Sequence, residues 1–268
     1  MSNVKFKDIC KLVNVKAEKS VADFFLSDLE YCIRKKNSDA KSKVVSKAYK
    51  PSSLHCIRNM YYQLTGTEID NIESSSDSVG IAESGTDRHL RIQEAVSSMK
   101  SYGIDCEYID VESYIKQFDI PDLIVVERQG YETKLINTKY NFRFLCDGII
   151  KYKGKYYVLE IKTEVSFKWN NRTDVDSNHY NQAITYSLNF NIPDVIFLYE
   201  NRDNCAKKCY LYEVNENQKD EIKYLIAKCN NYVETQTLPD IPNHIKYNNK
   251  ICSYCDYRKK CSAGVNNE

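Results

Sequence analysis

Asp147, Glu160 and Lys162 are residues whose types and spacing could do chemistry, and all three lie in the run FRFLCDGIIKYKGKYYVLEIKTE, residues 142 to 164. Side chains two apart on a strand share a face, so Glu160 and Lys162 project together while Ile161 turns into the opposite layer. Charged groups set among Val158, Leu159 and Ile161 are costly to bury unless something partners them, and a cation near the two carboxylates would do so. The pattern asks for a metal. Taken alone, the same residues also describe a turn at Asp147-Gly148 and an ion pair at a strand end, so the rest of the chain must decide.

The elements that position these residues start with the run itself. Phe142, Phe144 and Cys146 alternate with Arg143 and Leu145, and Tyr157, Val158 and Leu159 follow the Lys153-Gly154 pair, which predicts a β-hairpin with a glycine turn. Segments 105 to 117 and 123 to 138 carry short β-like pieces, LIVVE and TKLIN among them, and one should pair with the hairpin's first strand. After the hairpin, a polar loop holding Trp169 leads to a helix over about 176 to 190, a buried strand PDVIFLYE and a second strand YLYEV. A helix then spans 215 to 233 and is broken by the prolines of PDIPNH.

Upstream, Val21, Phe24, Phe25, Leu29, Cys32 and Ile33 recur at helical spacing, so a helix over 16 to 36 is expected to pack an apolar face on the core. The basic stretch from Arg34 to Lys50 reads as a loop or linker. Pro51-Ser52-Ser53 marks a helix start, with Ser52 or Ser53 as N-cap and Cys56 one turn inside, and the helix stops near Gly66. Residues 67 to 79 read as a loop and 81 to 99 as a longer helix. There His89 and Gln93 share a face, and Gly85 is expected to admit another backbone.

At 268 residues the chain is long enough for one core domain with appendages. Its net charge of +1 excludes a globally basic nucleic-acid coat, so any such contact must come from a local patch. The N-terminus lacks an apolar export signal and no stretch of 18 apolar residues occurs, which predicts a soluble cytoplasmic protein with no membrane partner. Eleven cysteines are then expected to be thiols or metal ligands rather than disulfides. Cys252, Cys255 and Cys261 form a C-x2-C-x5-C tail, a strong metal signal that needs a fourth ligand. His244 and Cys56 are candidates, and a structural zinc and an iron-sulfur cluster both remain open.

Taken together in chain order, Cys56, Gly85-x-x-x-His89, Asp147, Glu160-Ile161-Lys162, Gln182-x-x-x-Tyr186 and the cysteine tail resemble the RecB-like branch of the PD-(D/E)xK nucleases. The likeness is to members whose core is clasped by an iron-sulfur cluster, such as CRISPR-associated RecB-like exonucleases, the AddB nuclease domain and phage relatives. It covers residues 51 to 261. It implies an α/β, restriction-endonuclease-like mixed central sheet flanked by helices, with an N-terminal helical extension (1–50) and a nuclease domain (51–268) closed by the cysteine clasp.

By this resemblance His89, Asp147, Glu160 and the Ile161 carbonyl bind the metal, Lys162 is the catalytic lysine, and Gln182 and Tyr186 shape the site. Cys56, Cys252, Cys255 and Cys261 hold a four-iron four-sulfur cluster, which sets His244 aside. Hard carboxylate oxygens suit Mg2+ or Mn2+, and an imidazole tilts the choice toward Mn2+. Two positions depart from the family pattern: Cys146 stands in the place of its proline, and Phe144 where a glycine is common.

The expected function is a metal-dependent deoxyribonuclease, an exonuclease acting on single strands or free ends, with a protein partner in repair, phage replication or CRISPR adaptation. A non-catalytic DNA-binding scaffold for an integrase or helicase is the rival, and a nuclease with zinc in place of the cluster is another. Twenty-two tyrosines offer aromatic faces on which single-stranded bases could stack.

Overall fold

Two sheets are built from strands of the computed structural model, which describes residues 20–40, 47–70, 74–243, 252 and 255–265. The larger has five strands in the order β1-β5-β6-β7-β8: β1 (Cys106–Ile109), β5 (Gly148–Tyr152), β6 (Lys155–Glu164), β7 (Asp194–Asn201) and β8 (Lys207–Glu213). The smaller joins β2 (Leu123–Gln129), β3 (Glu132–Asn137) and β4 (Phe142–Cys146), all antiparallel. β6 and β7 run parallel and the other pairs of the larger sheet antiparallel, so this is the mixed α/β sheet expected.

The expected hairpin needs correction. Residues 142 to 152 are not one hairpin strand: the chain leaves the smaller sheet at Cys146 and enters the larger at Gly148, with Asp147 at the joint. Both candidate upstream segments pair with this run, β3 with β4 and β1 with β5. The turn itself is as expected. Lys153 (φ 49°) and Gly154 (φ 81°) both take positive φ between Tyr152 and Lys155, the two-residue geometry that matches strand twist.

The burial of Val158, Leu159, Glu160 and Ile161 in succession marks β6 as central, covered on both faces. On one face Ile92 of helix α3 (Ser76–Ser98) packs with Leu159, Ile161, Ile150 and Cys106. The main core gathers Val158, Val195 and Phe197 with Ala183, Ile184 and Phe190 of α6 (Tyr180–Phe190) and Ile222 and Ile226 of α7 (Glu216–Glu234). The parallel β6–β7 pair needs a crossover, supplied by α5 (Ser166–Asn171), a 3-10 turn and α6.

Helix α1 (Val21–Ala40) runs through the first part of the basic stretch, where Lys35 pairs with Asp39. Its Val21, Phe24, Phe25 and Leu29, the stripe expected to be buried, are exposed: periodicity shows which residues share a stripe, not what covers it. Residues 20–40 and 74–81 make up one compact unit, and the other described residues a second.

Helix α2 (Ile57–Leu64) starts later than its serines suggest, with Cys56 as N-cap, because Ser53 instead donates to the Lys50 carbonyl and Gln63. α3 begins at Ser76, inside the expected loop. A Cβ at Gly85 would meet nothing within 4 Å, so the expected backbone approach does not occur. Helix α4 (Val111–Gln117) follows β1, and α8 (Arg258–Val265) closes the described chain. No helix among the described residues is long and apolar enough to cross a membrane.

Candidate active site

Asp147 is held by three elements. Its Oδ2 accepts the Ile161 amide at 2.7 Å, and its carbonyl accepts Gln93 Nε2 of α3 at 2.8 Å and the Tyr108 hydroxyl of β1. Gly148 follows because that hydroxyl occupies its side-chain space: a Cβ there would lie 2.5 Å from Tyr108 Oη. The Ile161 amide is free for Asp147 since β5 ends opposite Leu159. Amide and carbonyl of a strand residue share an edge, which sets the Ile161 carbonyl on the same side.

His89 reaches the site from α3. Its Nδ1 lies 3.4 Å from Asp147 Oδ1 and 3.4 Å from Glu132 Oε1. Burial alone would lower the imidazole pKa, but hydrogen bonds to the two carboxylates outweigh it and raise it to about 10. Glu132 was not among the residues the sequence reading singled out. It opens β3, and continuing the Thr133–Cys146 register by one step sets it across from Asp147. Among the described residues, ligand atoms of His89, Glu132 and Asp147 come within 4.8 Å of one another.

Glu160 lies beside Asp147 and is 3% exposed. Its Oε1 accepts Lys162 Nζ and, at 3.2 Å, Gln182 Nε2, while its buried Oε2 has no partner. Burial pushes this carboxyl up, Lys162 pulls against that, and Asp147 adds to the rise. Lys162 also donates to Gln182 Oε1 at 2.9 Å. One helical turn on, the Tyr186 hydroxyl donates to the Leu145 carbonyl at 3.2 Å and receives Gln182 Nε2 at 3.4 Å. Tyr186 packs on Phe144, which also meets Phe190, so the large residue at 144 fills the gap beneath α6. All the residues expected at this site thus converge, with Glu132 added.

The donor set fits a hard divalent cation. Carboxylate oxygens and one imidazole are suitable ligands, and an orphaned buried oxygen on Glu160 is the kind of group such an ion would satisfy.

The cysteines form a second cluster. Cys56 is at the start of α2, Asn59 Nδ2 lies 3.5 Å from Cys255 Sγ, and Arg58 Nη1 lies 3.9 Å from Cys261 Sγ. Burial raises the Cys255 thiol to about 11, with Cys56 and Cys252 adding to the rise, and it also raises Cys56, which feels Cys261 and Cys252. All four are free thiols. His244 lies outside the described residues.

No family model matches this sequence, and no curated protein matches it. Among solved structures the fold is similar to that of SSO0001, at 16% identity and a TM-score of 0.46, over 91% of this chain and 98% of that one. It is also similar to an alkaline exonuclease, LHK-Exo, from Laribacter hongkongensis, at 14% identity and a TM-score of 0.43, over 72% of this chain and 90% of that one. The same exonuclease in complex with dAMP gives 15% identity and a TM-score of 0.42, over 77% and 94%.

Proposed function

We propose that the protein is a metal-dependent nuclease that hydrolyses phosphodiester bonds in DNA, acting as an exonuclease on single strands or free ends. The observation that carries this reading is the convergence of His89, Glu132 and Asp147 beside a buried Glu160 with an orphaned oxygen and a lysine two residues on. Those four side chains, with the Ile161 carbonyl, would hold Mg2+ or Mn2+. Bound there, the cation supplies positive charge for a phosphate oxygen and makes a water molecule more acidic.

The protein's own groups do the rest. Lys162 carries a positive charge at the site, held between Glu160 and Gln182, where it can orient a water or offset charge building on the phosphate. Gln182 fixes that ammonium and is itself fixed by Tyr186. Asp147 is locked by Ile161, Gln93 and Tyr108, so a cation binding here would meet a preorganised carboxylate. The cysteine cluster is proposed as a four-iron four-sulfur site, supported by four thiols near enough to feel one another's charge.

The test is cleavage of end-labelled single- and double-stranded DNA by anaerobically purified protein with Mg2+ or Mn2+. Lys162→Ala should abolish cleavage while Mn2+ still binds and the melting temperature holds. Cleavage retained by Lys162→Ala or Asp147→Ala would sink the assignment.

A further inference from the structure

On the α3 side of the larger sheet, at the carboxyl ends of β6 and β7, three cations meet one buried carboxylate and a fourth stands alongside. Glu200 is 0% exposed. Arg91 Nη2 lies 2.7 Å from both its oxygens, Arg88 Nη1 2.9 Å from Oε1 and Lys207 Nζ 3.2 Å from Oε2. Arg202 stands alongside: its carbonyl accepts Arg88 Nη2 at 2.8 Å, and its own guanidinium donates to Thr163. Burial would raise the Glu200 carboxyl, but the hydrogen bonds from Arg91, Arg88 and Lys207 outweigh it and hold the group below its usual range.

One cation suffices to neutralise a buried carboxylate, and here three meet it. The surplus faces solvent, since the side chains of Arg91 and Lys207 are 51% and 43% exposed. The other nearby carboxylate, Asp203, accepts Ser166 and leaves four cations against two anions. Asp87, one turn before Arg91, makes no ion pair with any of the four among the described residues. Glu200 therefore acts as a scaffold that sets guanidinium forks in place, and such forks suit phosphate oxygens.

The cluster shares two elements with the candidate active site. Arg88 precedes His89 on α3, and Thr163, which anchors Arg202, follows Lys162 on β6 but turns to the opposite face of the sheet. We propose that Arg88, Arg91, Arg202 and Lys207 form a subsite for the backbone phosphates of a single nucleic-acid strand, on the α3 face of the sheet. This rests on the nuclease reading for its role, though binding can be measured without cleavage.

Affinity for a mixed-sequence single-stranded oligonucleotide is measured by fluorescence anisotropy with chelator present, from 50 to 200 mM salt. The double variant Arg91→Ala/Lys207→Ala leaves Arg88 on Glu200. It should bind at least tenfold more weakly at low salt, with the slope of log affinity against log salt smaller by roughly 1.4. Lys207→Gln, on an exposed strand position, should lower that slope by about 0.7 and serves if the double variant does not fold. Unchanged affinity and slope in a folded variant would overturn the subsite and leave these cations as neutralisers of Glu200. Saturation of the cluster's effect by free inorganic phosphate at millimolar levels would equally overturn it, by pointing to a small anion instead of a strand. Wild-type cleavage with Mn2+ is scored separately: its absence counts against the nuclease reading alone, and the binding comparison against the subsite alone.

Discussion

Glu132 completes with His89 and Asp147 a group able to hold a metal ion, and its Oε1 lies 3.4 Å from the imidazole Nδ1. Glu132→Gln removes one anionic ligand without changing shape. It should weaken Mn2+ binding by about 10–100-fold in calorimetry, comparable to losses at supporting positions of metal sites, with little change in melting temperature. A second residue-scale prediction concerns His179. Its imidazole accepts or donates to the Tyr199 hydroxyl at 2.9 Å and stacks on Phe197; burial, then the charge of Lys162, lower its pKa to about 4. The unfolded chain therefore takes up a proton below about pH 6.5 that the folded chain refuses until about pH 4. Stability from this group is whole above pH 6.5 and falls as pH drops toward 4, by at most about 3 kcal/mol. His179→Phe should flatten urea-derived stability across that window, and an unchanged slope would count against the assignment.

At the scale of elements, the joint at Asp147 matters most. Two sheets meet there, and Tyr108 from the edge strand β1 secures the joint by donating to the Asp147 carbonyl. Gly148→Ala would drive a methyl group into the Tyr108 ring, whose nearest atoms would lie 2.5 to 2.8 Å away. Overpacking of this kind costs about 1–3 kcal/mol. The variant should melt lower and, because Asp147 shifts with its carbonyl, also bind Mn2+ less tightly. Tyr108→Phe combined with Gly148→Ala should not restore binding, since the ring remains in place. The hairpin turn was legible because Lys153-Gly154 carries its own backbone chemistry. The switch between sheets was not: Cys146-Asp147-Gly148 reads as continuous extended chain, and only the partners on either side separate β4 from β5.

Across the whole molecule, the cysteine cluster joins the start of α2 to the last described helix. A centre held by Cys56 and Cys252 closes a loop of 196 residues, which in the chain-entropy model restricts the unfolded state by about 5 kcal/mol. Direct bonds reinforce the closure: the Asp70 amide donates to the Asp256 carbonyl at 2.7 Å, and Arg58 Nε donates to the Pro239 carbonyl at 2.7 Å. Cys56→Ser should therefore lose iron and visible absorption together and lower the melting temperature by several degrees or more. A colourless wild type with one equivalent of zinc would replace the proposed cluster by the zinc reading.

By itself the sequence placed Glu160 and Lys162 on one face of a strand, His89 and Gln93 on one face of a helix, Gln182 and Tyr186 one helical turn apart, and Cys252 and Cys255 in one short chelating tail, while the roles expected of them, and Cys56 as a further cysteine of that group, came from the family resemblance. A strand sets residues two apart on one face, and a helix sets residues four apart together, whatever surrounds them. What only the tertiary structure decided lies between elements. Glu132 becomes a neighbour of Asp147 through the β3–β4 register, and Arg88, Arg91 and Lys207, from α3 and β8, meet at Glu200 of β7. Such meetings depend on pairing and packing across long sequence separations, which leave no periodic trace in either segment.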